Sequence, residues 1–390
     1  MILKNAIIAD KDFKLVKADI RIQNGKISEI GENLSDDSVT DFTGKYILPG
    51  FVDTHIHGAY GERIGDEGAT LANIKSFEVT QGVTSVAITT GSSDYESLVK
   101  QMGIAYNASK KCGGTKIAAV HAEGPFLNPK FKGAMNEKNL IPLSREMLDE
   151  LLESSGGLLK IMTVAPEMEG CLELIDYAVS KGIVISMGHT NATYDEAVQA
   201  ISRGASRLTH TFNAMRPINH REPGVIVAAL NASSVMCEVI CDYVHLHPAT
   251  IRMIYGLKGR DGMCMISDSG NAAGLDITEF EVFGVKRYVK DGVIRLADGT
   301  IAGSAMTLAD GVRNLIRDGI PMEDVAKIAS YNPAKGIGLE DKIGSIAVGK
   351  CADLAVLDGE FNVVATYVDG ECVFEKYRNL SEKWKFYLFI

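Results

Sequence analysis

Ile183-Val184-Ile185-Ser186-Met187-Gly188-His189-Thr190-Asn191-Ala192-Thr193-Tyr194-Asp195-Glu196-Ala197-Val198-Gln199-Ala200-Ile201-Ser202-Arg203-Gly204 is the stretch whose reading decides the fold. The apolar run at 183–188 is short and bounded by polar residues, as a buried strand is. Thr193 and Glu196 have capping-box spacing, Ala197, Val198, Ala200 and Ile201 make an apolar face, and Gly204 supplies a stop. The stretch is therefore one strand–helix unit, and His189 lies just past the C-terminal end of its strand.

Working outward, the same pattern recurs. Eight short apolar runs lie near 47–53, 83–90, 116–122, 159–165, 183–188, 207–212, 235–241 and 263–267, most followed by a helix-like segment. Eight such units predict an α/β fold of the (β/α)8 TIM-barrel type over 48–344. A hairpin-like insertion at about 279–302, with turns at Asp291-Gly292 and Asp298-Gly299, precedes two final helices. The two chain ends read differently. Ile20, Ile22, Ile27 and Ile30 alternate about an Asn24-Gly25 hairpin signal, and strand-like runs return around Asp369-Gly370. Residues 1–47 and 345–390 are thus expected to form a small β-sandwich domain.

Bulk properties bound the function. At 390 residues the chain exceeds the size at which one core stops growing, which suits a large domain beside a small one. A net charge of −10 argues against nucleic acid as a partner, because phosphate backbones are bound through clustered Lys and Arg. No apolar run is long enough for a membrane span, and Met1-Ile2-Leu3-Lys4 does not open a signal peptide, so a cytoplasmic location is expected. Seven dispersed cysteines without CxxC spacing suit a reducing compartment, with Cys237 and Cys241 read as core thiols.

Residues able to bind a metal gather at the run ends: His55 and His57 after the first, Glu123 after the third, His189 after the fifth, His210 after the sixth and Asp268 after the eighth. In a barrel all these ends open on one face. At i, i+2 on a strand, His55 and His57 point to the same side. A lone His-x-His is weak evidence; five ligand-type residues at successive strand ends are not. Imidazole and carboxylate suit zinc, iron or manganese. Read singly, Glu123 could be a loop glutamate, and His121 a core histidine or a partner of the ligands. Asp268, alone in an apolar strand, could be a general base or a helix N-cap. Arg221 could clamp a phosphate or pair with a surface acid.

Beyond these readings, Leu48-Pro49-Gly50-Phe51-Val52-Asp53-Thr54-His55-Ile56-His57-Gly58 resembles the opening signature of the amidohydrolase superfamily. His121-Ala122-Glu123-Gly124-Pro125-Phe126, Gly188-His189-Thr190, His210-Thr211-Phe212-Asn213-Ala214-Met215, Arg221-Glu222-Pro223-Gly224 and Ser267-Asp268 resemble N-acetylglucosamine-6-phosphate deacetylases in order and spacing. The resemblance implies Glu123, His189 and His210 as principal metal ligands. It implies Asp268 as catalytic acid/base, and substrate contacts at Ala134, Met135, Asn213, Ala214, Arg221, His245, Ile301, Ala302 and Gly303, with Arg221 on the phosphate. With His55 and His57 both present, a second metal bridged by Glu123 is expected. The cofactor is then one or two divalent ions, Zn2+ with Fe2+ or Mn2+ as alternatives, the partner a sugar phosphate, and the assembly a homodimer with no membrane or nucleic-acid partner. Similar proteins often have a histidine or another polar residue where this chain has Met135, whose thioether accepts only weak hydrogen bonds; His245 is the residue expected to compensate. Rival readings are the N-acetylgalactosamine-6-phosphate epimer, a cyclic-amide hydrolase or dipeptidase, and a non-catalytic scaffold.

Overall fold

The computed structural model describes residues 1–91, 93–282 and 284–376. Residues 377–390, assigned above to the small β domain, lie outside the described residues.

Eight parallel strands run β1 (Phe51–Ile56), β2 (Val83–Thr90), β3 (Lys116–Glu123), β4 (Leu159–Val164), β5 (Val184–Met187), β6 (Arg207–Leu208), β7 (Met236–Ile240) and β8 (Met263–Ile266). They pair in chain order. The ring closes at its C-terminal rim, where the Asp268 N–H donates to the His55 carbonyl at 2.9 Å and Ile56 bridges Ser269. The helix Tyr194–Ser202 follows β5 with the predicted capping box in place. At the other end Ala334, Ile337 and Ile343 pack on Val52, Ala119 and Ile161, plugging the floor.

β6 is shorter than its apolar run. His210, Phe212 and Ala214 all have positive φ (24°, 78° and 49°), a conformation no strand can continue, so the chain leaves the ladder after Leu208. Gly188 at the end of β5 permits the tight packing there: a Cβ would fall 2.5 Å from the Thr209 Cβ and 2.9 Å from the Thr163 Cγ2.

The chain ends build a mixed eight-stranded sheet, with Tyr46–Pro49 between Ile2–Ala9 and Leu354–Leu357. It curls until Ile27 meets the segment at Lys350, enclosing a core of Leu3, Ile8, Ile20, Ile47, Leu354 and Val356. Tyr46–Pro49 belongs to this sheet and Phe51 starts the barrel, so the switch falls at Gly50. The insertion forms a four-stranded sheet, Glu279–Val282, Val285–Lys290, Val293–Arg295 and Ile301–Ser304, standing over the mouth.

Candidate metal centre

The six residues expected to converge do so on one rim. Glu123, the last residue of β3, is buried, and its Oε1 lies 3.3 Å from His55 Nε2, 3.2 Å from His189 Nε2 and 3.0 Å from His210 Nε2. Its Oε2 is 3.3 Å from His57 Nε2. Asp268 Oδ1 is 3.4 Å from His57 Nε2 and 3.6 Å from His55 Nε2. His189 and Asp268, like His210, sit at positive φ (48° and 49°), so the backbone turns each side chain in over the mouth.

The ring nitrogens facing outward assign the tautomers. His189 Nδ1 donates to the Phe131 carbonyl at 2.8 Å and His210 Nδ1 to the Asn213 carbonyl at 3.1 Å, since a carbonyl can only accept. His55 Nδ1 donates to Glu238 at 2.9 Å. With Nδ1 protonated, a neutral imidazole presents a bare lone pair at Nε2. The His189 and His210 Nε2 atoms nevertheless stand 3.1 Å apart, both beside a carboxylate oxygen, and His55 Nε2 is buried without a hydrogen-bond partner. Lone pairs aimed at one another in a buried space repel unless a cation lies between them. The donors fall into two sets within reach of one ion each: Glu123, His189 and His210, and His55, His57 and Asp268. Glu123 touches both.

A third grouping, His55, His121 and Glu238, is a hydrogen-bonded support. His121 is held by the Thr54 carbonyl at 3.2 Å and the Thr163 hydroxyl at 2.8 Å, and burial pushes its pKa down to about 3. It therefore stays neutral, edge-on to His55. Glu238 accepts from His55, from the His210 N–H at 3.1 Å and from Arg207 Nε at 2.7 Å. Burial works against its charge, but Arg207 and then His55 hold it well below the ordinary carboxylate range. The Asp268 carboxyl is likewise held low: burial opposes, and the His55 and His57 imidazoles prevail. Glu238 and Arg207 were not singled out from sequence. Glu238 carried a signal, as a lone charge inside the apolar run 235–241, whereas Arg207, between Ser206 and Leu208-Thr209-His210, carried none.

A cavity of about 720 Å³ opens above the cluster. Ala134, Met135, Asn213, Ala214, His245, Ile301, Ala302 and Gly303, all expected at the substrate, line it. His245 Nδ1 is fixed by Asp242 at 2.6 Å, and its Nε2 is buried without a partner. Arg221 stands apart from these residues in the single chain. It is exposed and does not line the cavity, because the tight turn in which Asn219 bridges Glu222 keeps it on the outer surface. Cys237 and Cys241 are buried core thiols.

A (β/α)8 barrel with histidines, a glutamate and an aspartate gathered at its strand ends defines a metal-dependent hydrolase, and the chain belongs to the Amidohydrolase family, whose pattern matches residues 46–373. Among curated proteins it is 32% identical to an N-acetylglucosamine-6-phosphate deacetylase of Bacillus subtilis (strain 168), over 96% of this chain and 97% of that protein. It is 29% identical to an N-acetylgalactosamine-6-phosphate deacetylase of Escherichia coli O157:H7, over 86% and 89%. The crystal structure of N-acetylglucosamine-6-phosphate deacetylase from Pasteurella multocida matches with a TM-score of 0.90 at 32% identity, over 95% of this chain and 98% of that one.

Proposed function

We propose that the chain hydrolyses the acetamido group of N-acetylglucosamine-6-phosphate to glucosamine-6-phosphate and acetate. The observation that carries the reading is the convergence of Glu123, His189 and His210 beside Asp268 on one rim, in a chain similar along its length to deacetylases of that specificity. His55 and His57 would hold a second ion, with Glu123 between the two. A divalent ion bound here supplies water acidified toward neutrality and polarises the amide carbonyl. The imidazole and carboxylate donors suit zinc, with iron or manganese as alternatives.

The residues of the chain divide the remaining work. Asp268, ionised and turned into the mouth, takes a proton from the attacking water and delivers it to the departing amine nitrogen. Water adds to the carbonyl carbon, the C–N bond breaks, and acetate leaves with no acyl-enzyme. Asn213, Ala214 and His245 would hold the sugar phosphate from the β6–β7 side, His245 through its open Nε2. Glu238 holds the His55 ring by Nδ1 and so aims Nε2 inward. The resemblance to deacetylases also supports a homodimer acting in the cytoplasm.

The test is acetate release from N-acetylated glucosamine and galactosamine, phosphorylated and not, with metal content measured on the same sample. N-Acetylglucosamine-6-phosphate should be preferred. Preference for the galacto epimer would transfer the reading to the activity named for the Escherichia coli relative, and release from neither phosphosugar would end it.

A further inference from the structure

Two arginines of the mouth play no part in that chemistry. Arg63 lies in the loop after β1, and a Cβ added at Gly91, just past β2, would fall 3.5 Å from its Nη2, which places its guanidinium over the β2 end. Arg287 lies on the insertion strand Val285–Lys290 and reaches down to the Ala302 carbonyl with Nη1 at 3.4 Å. Both line the cavity. Arg287 Nε is buried without a hydrogen-bond partner, and among the described residues no carboxylate offsets its charge. Burial, with the like charge of Arg63 adding to it, pushes Arg287 down to about 10. Asp94 is on the same rim, but its two oxygens are occupied by the Ser97 N–H and hydroxyl at 2.9 Å each. Asp66 offsets part of the Arg63 charge, which leaves Arg287 the uncompensated cation, and a half-buried cation beside a like charge is unfavourable unless an anion joins it. In a ring of eight strands paired in order, the β2 end faces the β6 end, so Arg63 stands across the metal donors from Asn213 and Ala214.

We propose that Arg63 and Arg287 form a second anion-binding subsite on the β1–β2 side of the mouth, which takes a negatively charged group of the substrate. The proposal rests on the deacetylase reading for the scissile bond and adds to it a preference for charge. A carboxylate on the acyl chain and the phosphate of the sugar share the required chemistry, since either accepts the forked guanidinium N–H groups.

The experiment compares metal-loaded wild type with Arg287→Met, Arg63→Met and Arg287→Lys on N-acetylglucosamine, N-acetylglucosamine-6-phosphate and N-succinylglucosamine-6-phosphate, following free amine. If the anion is acyl-borne, kcat/KM for the succinyl compound exceeds that for the acetyl compound in wild type, and Arg287→Met erases the excess by tenfold or more. If it is the phosphate, Arg287→Met lowers kcat/KM for N-acetylglucosamine-6-phosphate at least tenfold more than for the unphosphorylated sugar. Arg287→Lys should recover part of either loss. Equal losses on charged and uncharged substrates, or no loss on either phosphorylated one, overturn the proposal. Thermal shift with succinate and inorganic phosphate reads the subsite even if no sugar is turned over. A rise in Tm in wild type that is absent in both methionine variants supports the subsite, and equal shifts in all forms count against it.

Discussion

Asp268 holds its carboxylate beside two imidazoles at a φ of 49°, a conformation that costs a non-glycine residue about 1–3 kcal/mol where the fold imposes it. An amide at that position would keep the shape but could not take up a proton. Asp268→Asn should retain metal by elemental analysis and lose turnover by about 10²–10⁴-fold; loss of metal instead would make the residue a ligand. Glu238 carries a prediction about acid. Its folded pKa is depressed below the ordinary 4.5, so the stability it contributes is present above about pH 4.5 and is lost as pH falls toward the folded value. Glu238→Gln strands Arg207 in the interior and should cost about 3–5 kcal/mol at pH 7. Urea midpoints of metal-free protein should show the gap between variant and wild type steady from pH 7 down to about pH 5 and narrowing below about pH 4.5; a gap that stays constant as pH falls further would contradict the assignment. At this scale the residues that meet on the rim were legible because histidine and carboxylate are rare at the ends of apolar strands. Arg63 and Arg287 were not, because a charged residue in a loop or an exposed hairpin looks like any solvated side chain until a distant element covers it.

The elements were read where periodicity and stop signals agree. Thr193 and Glu196 marked a helix start that the structure reproduces bond for bond. Thr193→Ala should cost about 1 kcal/mol in chemical denaturation and leave metal content as it was. Gly188→Ala should do more, because its methyl group would overlap Thr209 and Thr163 and move His189. A drop in bound metal together with stability is the expected result, and a variant with full metal occupancy would show that the end of β5 can give way. Two elements were misjudged in length for a physical reason. The stretch Arg207-Leu208-Thr209-His210-Thr211-Phe212 was expected to be strand along its whole length, yet only Arg207 and Leu208 pair, because left-handed residues follow that no sequence pattern here announces. The run at 47–53 joins the end of one sheet to the start of another, both buried, and only Gly50 marks the change.

For the molecule as a whole, the donor atoms that meet on the rim come from five different strand ends, so a bound ion ties most of the ring together. Removing it should lower stability by the mass-action term, about 2.7 kcal/mol when free metal stands at 100 times its Kd. Calorimetry with and without a chelator should show Tm falling and then recovering with zinc; an unchanged Tm would mean that the donors hold no ion. The barrel was legible from eight runs alone, and the joining of the chain ends from their shared two-residue alternation. How that small sheet curls was not legible, since register across the whole length of a chain leaves no local trace. Its topology has a consequence for biosynthesis. Tyr46–Pro49 takes Leu354–Leu357 as its second neighbour, so on the ribosome this early strand keeps one edge open until Leu354–Leu357 and the whole barrel before it have emerged. The β1 segment that leads to His55 and His57 is continuous with that waiting edge, and the catalytic rim is therefore fastened from behind by a strand made long after it.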